Sequence, residues 1–186
     1  RTAVQSVSNA ANSRLYQANA DILKGVQHVA TFDKRTCPVC AGLDGRTFPM
    51  DKPRPQLPVH PLCRCTYAPI TKSWKELGLN IKDVSPGDRA SMDGQVPGKI
   101  TFDKWLKGQP PHVANEILGK TRADLWRDGR LELRDFYQER TWRKLNLAEL
   151  RGKMNRATTG TPPGPKNPKA PKPPKDFADT KRFRPA

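Results

Sequence analysis

Cys37, Cys40, His60, Cys63 and Cys65 lie within 29 consecutive positions of the 186-residue chain, and they include every cysteine it has. Cys37 and Cys40 form a Cys-x-x-Cys pair, with Pro38 bending the chain so that both sulfurs can face one point. After 19 intervening residues, His60-Pro61-Leu62-Cys63-Arg64-Cys65 supplies a second knuckle. Zinc prefers four tetrahedral nitrogen and sulfur ligands, and two short-spaced pairs across a loop are how small folds provide them. Five candidates compete for four places. Either three thiolates bind with His60, or all four thiolates bind and His60 supports them from outside.

Other chemistry fits this pattern less well. Two disulfides would suit an oxidising compartment, but nothing in the sequence points to secretion. A thioredoxin-type redox pair belongs in a βαβ pattern, and none surrounds Cys37. Catalytic zinc needs an open position and a positioned base, whereas here the nearby donors can all be used in closing the site. The expectation is a structural zinc ion.

Outside the knuckle, little invites catalysis. His28 falls in a candidate strand and reads as a core or edge residue, and His112 opens a helix after Pro110-Pro111. Asp33 and Asp44 flank the first cysteine pair, but a strand end and an Asp-Gly turn explain them locally. Arg35 and Arg64 sit beside cysteines, where they could balance thiolate charge or touch phosphates. Trp74, Trp105, Trp126 and Trp142 are spaced irregularly and read as core anchors rather than a base-stacking platform. No phosphate-binding loop, dinucleotide fingerprint or metalloprotease helix occurs. No enzyme activity is expected, and no small-molecule substrate.

The elements that must position the knuckle follow from hydrophobic spacing. Val4, Val7, Ala11, Leu15, Ala18 and Ile22 recur at three and four, which predicts an amphipathic helix over residues 2–24 ended by Gly25. Val26–Asp33, Gly45–Met50 and Cys65–Ile70 read as three short strands of an antiparallel sheet, with a proline-punctuated loop over 53–61. Ser73-Trp74-Lys75-Glu76 has capping-box spacing for a short helix, and residues 80–99 read as a mobile connection. Short helices are then expected around Phe102–Leu106, Val113–Leu118, Ala123–Trp126 and from Asn146. Leu131, Leu133 and Phe136 lie between the last two. The fold class is therefore α+β. A long N-terminal helix packs on a small sheet with a zinc knuckle, followed by short helices and a disordered basic tail. The divisions are 1–72 for the knuckle module, 73–154 for the short-helix region of the same domain, and 155–186 for the tail.

Charge bounds the partners. Lys and Arg number 34 against 18 Asp and Glu, a formal net charge of +16, and hydrophobic residues make up only 35%. From Arg156 onward eight basic residues face Asp176 and Asp179, and eight of the nineteen prolines lie beyond Met154. That segment cannot bury enough apolar surface to offset its ordering entropy. Double-stranded DNA, bound without sequence preference through the basic surface and the tail, is the simplest acidic partner. No apolar run is long enough to span a membrane, so no membrane partner is expected. No signal-peptide pattern opens the chain, and a first residue that is Arg1 rather than Met leads one to expect a piece of something longer.

The ordered motifs resemble a known family. Arg35-Thr36-Cys37-Pro38-Val39-Cys40, then Leu43-Asp44-Gly45, then His60-Pro61-Leu62-Cys63-Arg64-Cys65 is similar to the phage Mu F-like minor head proteins, or head morphogenesis proteins. Asp33, the opening Arg1-Thr2-Ala3 helix and the later blocks Trp105–Pro110 and Leu118–Arg122 extend the likeness to about residue 140. The resemblance implies a non-enzymatic virion component of few copies, associated with the portal protein and other head proteins inside the phage head. It also implies host cytoplasm during assembly, and help with head morphogenesis, DNA packaging or DNA delivery. The other readings of the same sequence are a zinc-stabilised nucleic-acid-binding module and a nuclease or toxin fragment.

Overall fold

The computed structural model describes residues 2–84 and 87–159. Helix α1 (Thr2–Ala18) leads through a turn into strand β1 (Leu23–Val29). Then come α2 (Pro38–Leu43), β2 (Thr47–Phe48) and β3 (Thr66–Thr71). The three strands form one antiparallel sheet in the order β2-β1-β3, with Val26 opposite Phe48 and His28 opposite Tyr67.

α1 ends earlier than the 2–24 expected from spacing, and Gly25 lies inside β1 rather than at a helix end. A β-carbon on Gly25 would stand 2.4 Å from the Phe48 carbonyl oxygen, so the glycine lets β1 approach β2 closely. The apolar stripe of α1 also faces the other way from the amphipathic expectation. Val4 and Val7 are each 70% exposed and Leu15 58%, whereas Asn9 is the buried residue of the helix. The inward side of α1 is polar because it binds backbone. Gln5 Nε2 donates to the Cys65 carbonyl at 3.0 Å, and the Tyr16 hydroxyl donates to the Tyr67 carbonyl at 2.9 Å.

The segment expected to be a mobile connection contains a hairpin, β4 (Asp88–Ser91) and β5 (Gly94–Pro97), turned at Met92-Asp93. Met92 N donates to the Phe32 carbonyl at 2.9 Å, and Arg89 lies over the Phe32 ring at 4.0 Å. Conversely, no helix forms at Ser73. The capping contacts are present, with Ser73 N donating to Glu76 Oε2 at 2.7 Å and Glu76 N to Ser73 Oγ at 3.2 Å. They close a single exposed turn, because nothing behind it buries an apolar face that would extend it.

The remaining helices are α3 (Phe102–Lys107), α4 (Pro111–Leu118), α5 (Lys120–Arg127), a 3-10 turn over Leu133–Phe136, and α6 (Leu147–Thr159). Their buried faces enclose one core with residues from the knuckle region: Phe32, Phe102, Trp105, Leu106, Trp126, Phe136 and Leu150 share it with Cys40, Cys63 and Cys65. A second cluster of Val26, Val39, Leu43, Phe48 and Tyr137 joins the sheet to α2. Trp105 and Trp126 are core anchors, as their helical context suggested. Trp74 is not, being 36% exposed on the Ser73 turn. α6 continues past Asn155, into the segment read as tail, and the rest of that segment lies outside the described residues.

Candidate metal centre

Local structure brings the two knuckles together. Pro38 opens α2, where its fixed φ is suited to the first helical position. Cys37 is the N-cap of this helix, and its sulfur accepts from Cys40 N at 3.4 Å. The first pair therefore sits on one helical turn with both sulfurs on the same side. Opposite, Cys63 N donates to the His60 carbonyl at 3.1 Å, which folds the second knuckle into a tight turn. α1 grips this loop: Leu62 N donates to Thr2 Oγ1 at 3.1 Å, beside the Gln5 bond to Cys65.

All five candidates from the sequence are neighbours. Cys40 is the hub: its sulfur lies 3.3 Å from His60 Nε2 and 3.9 Å from Cys63 Sγ. The donor atoms of Cys37, Cys40 and His60 lie within 4.8 Å of one another. Cys65 is in side-chain contact with Cys40 and Cys63. A tetrahedron with Zn–S of about 2.3 Å and Zn–N of about 2.0 Å has S···S edges of about 3.8 Å and S···N edges of about 3.5 Å. The two distances at Cys40 match those edges. His60 Nδ1 donates to the Pro61 carbonyl at 2.8 Å, which leaves the Nε2 lone pair facing the sulfurs, as a metal-binding imidazole requires.

Proton sharing among the sulfurs has the same pattern. Cys37 is pulled down to about 6 by the hydrogen bond from the Cys40 thiol. Cys63 is also pulled down, by hydrogen bonds from Cys40 and Cys65. Cys40 is pushed up by its contacts with the Cys37, Cys63 and Cys65 sulfurs and by burial. At Cys65 the contact with Cys40 lowers the thiol, but donation to Cys63 and burial outweigh it and push it up. All four cysteines are free, so no disulfide is formed.

A further donor emerges that spacing did not associate with the knuckle. His28 on β1 is fully buried, and its donor atom lies within 4.8 Å of the Cys40 and Cys65 sulfurs. Neither ring nitrogen has a hydrogen-bond partner among the described residues. Burial holds the imidazole neutral, with its pKa lowered to about 4. Only the strand register reveals this, because His28 pairs with Tyr67 at the start of β3, just past Cys65.

The flanking charges have structural partners. Arg64 forms a bidentate pair with Asp33, including Arg64 Nη2 to Asp33 Oδ1 at 2.6 Å. Asp33 also accepts from Arg35 N at 2.9 Å, while the Arg35 side chain stays exposed. Asp44 is more than a turn residue. Its buried carboxylate accepts from Ala30 N and Phe102 N, each at 2.8 Å, and from both Arg89 terminal nitrogens. Carboxylates so occupied do not offer a free general base. His112 is exposed at the start of α4.

Comparison with known proteins gives one match. Residues 1–68, which include all five knuckle donors, match the family described as phage Mu protein F like protein. No curated protein and no solved structure matches the chain.

Proposed function

We propose that the chain, whose residues 1–68 match the phage Mu protein F like family, is a head morphogenesis protein and a minor component of the virion. It sits at the portal inside the head, assists DNA packaging or delivery, and performs no catalysis of its own. The family match carries this reading. A zinc ion held by four of Cys37, Cys40, His60, Cys63 and Cys65 would tie α2 to the loop before β3 and account for the stability of so small a sheet. A bound structural metal contributes folding free energy directly, which suits a three-stranded sheet with a two-residue edge strand.

In this arrangement the centre is a closed structural site. The zinc would supply cross-linking and charge neutralisation, and Cys40 holds the middle of the donor set. Pro61 fixes the tautomer of His60, and α1 pins the loop from outside. The net charge of +16 supports contact with DNA phosphates inside the head, without base readout. Portal protein and other head proteins are the protein partners. Quantifying the chain in purified particles tests the reading. A few copies per virion, cross-linked to portal protein, is the expected result. Absence from particles would contradict it.

A further inference from the structure

The six donors do not form one tetrahedron. Cys37, Cys40 and His60 make one close group, and His28, Cys40 and Cys65 make another, on the inner side of the same sulfur. Cys63 belongs to neither group, although its sulfur lies 3.9 Å from Cys40 and it contacts Cys65. A single four-coordinate ion would leave two of these six side chains unused in a buried site. If that ion sat in the Cys37, Cys40 and His60 group, His28 would stay an imidazole at 0% exposure with both nitrogens unpartnered.

We propose that the centre holds two zinc ions, the outer one held by Cys37, Cys40 and His60 and the inner one by His28, Cys40 and Cys65, so that His28 is a metal ligand. Cys63, beside Cys40, supplies the fourth thiolate of the cluster. Charge supports the assignment independently of geometry. Four thiolates and two neutral imidazoles carry four negative charges, which two Zn²⁺ ions cancel.

His28 distinguishes this assignment from an ordinary core histidine. It packs edge-on against Tyr67 at 5.8 Å, a contact that phenylalanine would reproduce. A histidine with two unsatisfied buried nitrogens would be improved by that change, because the desolvation cost of the nitrogens disappears. A ligand would not.

The inference rests on the zinc reading above, and the test separates the two. The full chain is reduced, loaded with zinc, exchanged into metal-free buffer and weighed by native mass spectrometry. Two zinc ions are expected in the wild type, one in His28→Phe, and two again in His28→Cys, which restores a soft donor. ¹¹³Cd NMR of the cadmium-loaded wild type is expected to give two resonances, and this readout does not depend on any variant folding. One metal ion in the wild type would overturn the second ion and leave the zinc centre standing. Two ions retained by His28→Phe would remove His28 from the ligand set. No bound metal in the wild type would overturn both readings.

Discussion

Asp44 and Arg89 are joined across 45 positions of sequence, with Arg89 Nη2 2.7 Å from Asp44 Oδ1 and Nη1 3.2 Å from Oδ2. The Asp44 side chain is fully buried and the Arg89 side chain 15% exposed. This pair holds the β4–β5 hairpin against the knuckle region, because Arg89 also donates to the carbonyls of Ala30 and Ile100. Asp44→Asn is expected to destabilise the chain by about 3–5 kcal/mol, since it leaves a buried guanidinium without its counter-charge. Urea unfolding of the zinc-loaded protein measures this, and a loss under about 1 kcal/mol would show that the hairpin docks by other means.

The Asp33–Arg64 pair carries a pH signature. Burial pushes the Asp33 carboxyl up, but hydrogen bonds from Arg64 and the Arg35 amide outweigh it and hold the group below 3.8. A carboxyl lowered on folding stabilises the native state above its unfolded value. That contribution is lost as pH falls through the folded value. Wild-type stability is therefore expected to drop below pH 3.8, with a shallower drop in Asp33→Asn. Parallel acid titrations, followed by circular dichroism, would refute the assignment if the two slopes were the same.

The orientation of α1 predicts an inverted mutational pattern. Val7→Ser, on the exposed apolar side, is expected to change stability by no more than about 0.5 kcal/mol. Tyr16→Phe removes the bond to the Tyr67 carbonyl and is expected to cost about 1 kcal/mol. Chemical denaturation of both variants compares them directly. A larger cost for Val7 would mean that the apolar stripe is covered.

Gly42 sets how closely α2 docks on the 3-10 turn. A β-carbon there would stand 2.4 Å from the Leu133 carbonyl oxygen and 2.8 Å from the Tyr137 ring. Gly42→Ala is expected to cost roughly 1–3 kcal/mol by overpacking and to weaken zinc retention, because α2 carries Cys40. Thermal melts with and without added zinc would show both effects.

Much of this molecule is readable from residue types alone. The clustering of Cys37, Cys40, His60, Cys63 and Cys65 is legible because cysteines and a histidine at these spacings have few other uses, and turn residues and β-branched side chains mark the strands around Thr47 and Thr66. What was not legible depends on contacts distant in sequence. The polar side of α1 faces inward because it binds the Cys65 and Tyr67 carbonyls, which helical periodicity does not encode. The hairpin at Asp88 has little apolar patterning and owes its place to Arg89 finding Asp44. His28 looked like an ordinary strand histidine, since only the pairing of β1 with β3 carries it to Cys65.

A metal bound by the cysteine–histidine cluster is expected to hold this fold together. Near-UV circular dichroism of the reduced, zinc-loaded chain, recorded before and after a strong chelator and again after zinc is returned, tests it most directly. The aromatic signal is expected to collapse on chelation and recover with zinc, because Cys40, Cys63 and Cys65 share their core with Phe32, Phe102 and Trp105. An unchanged spectrum with the metal stripped and all four thiols free would contradict it.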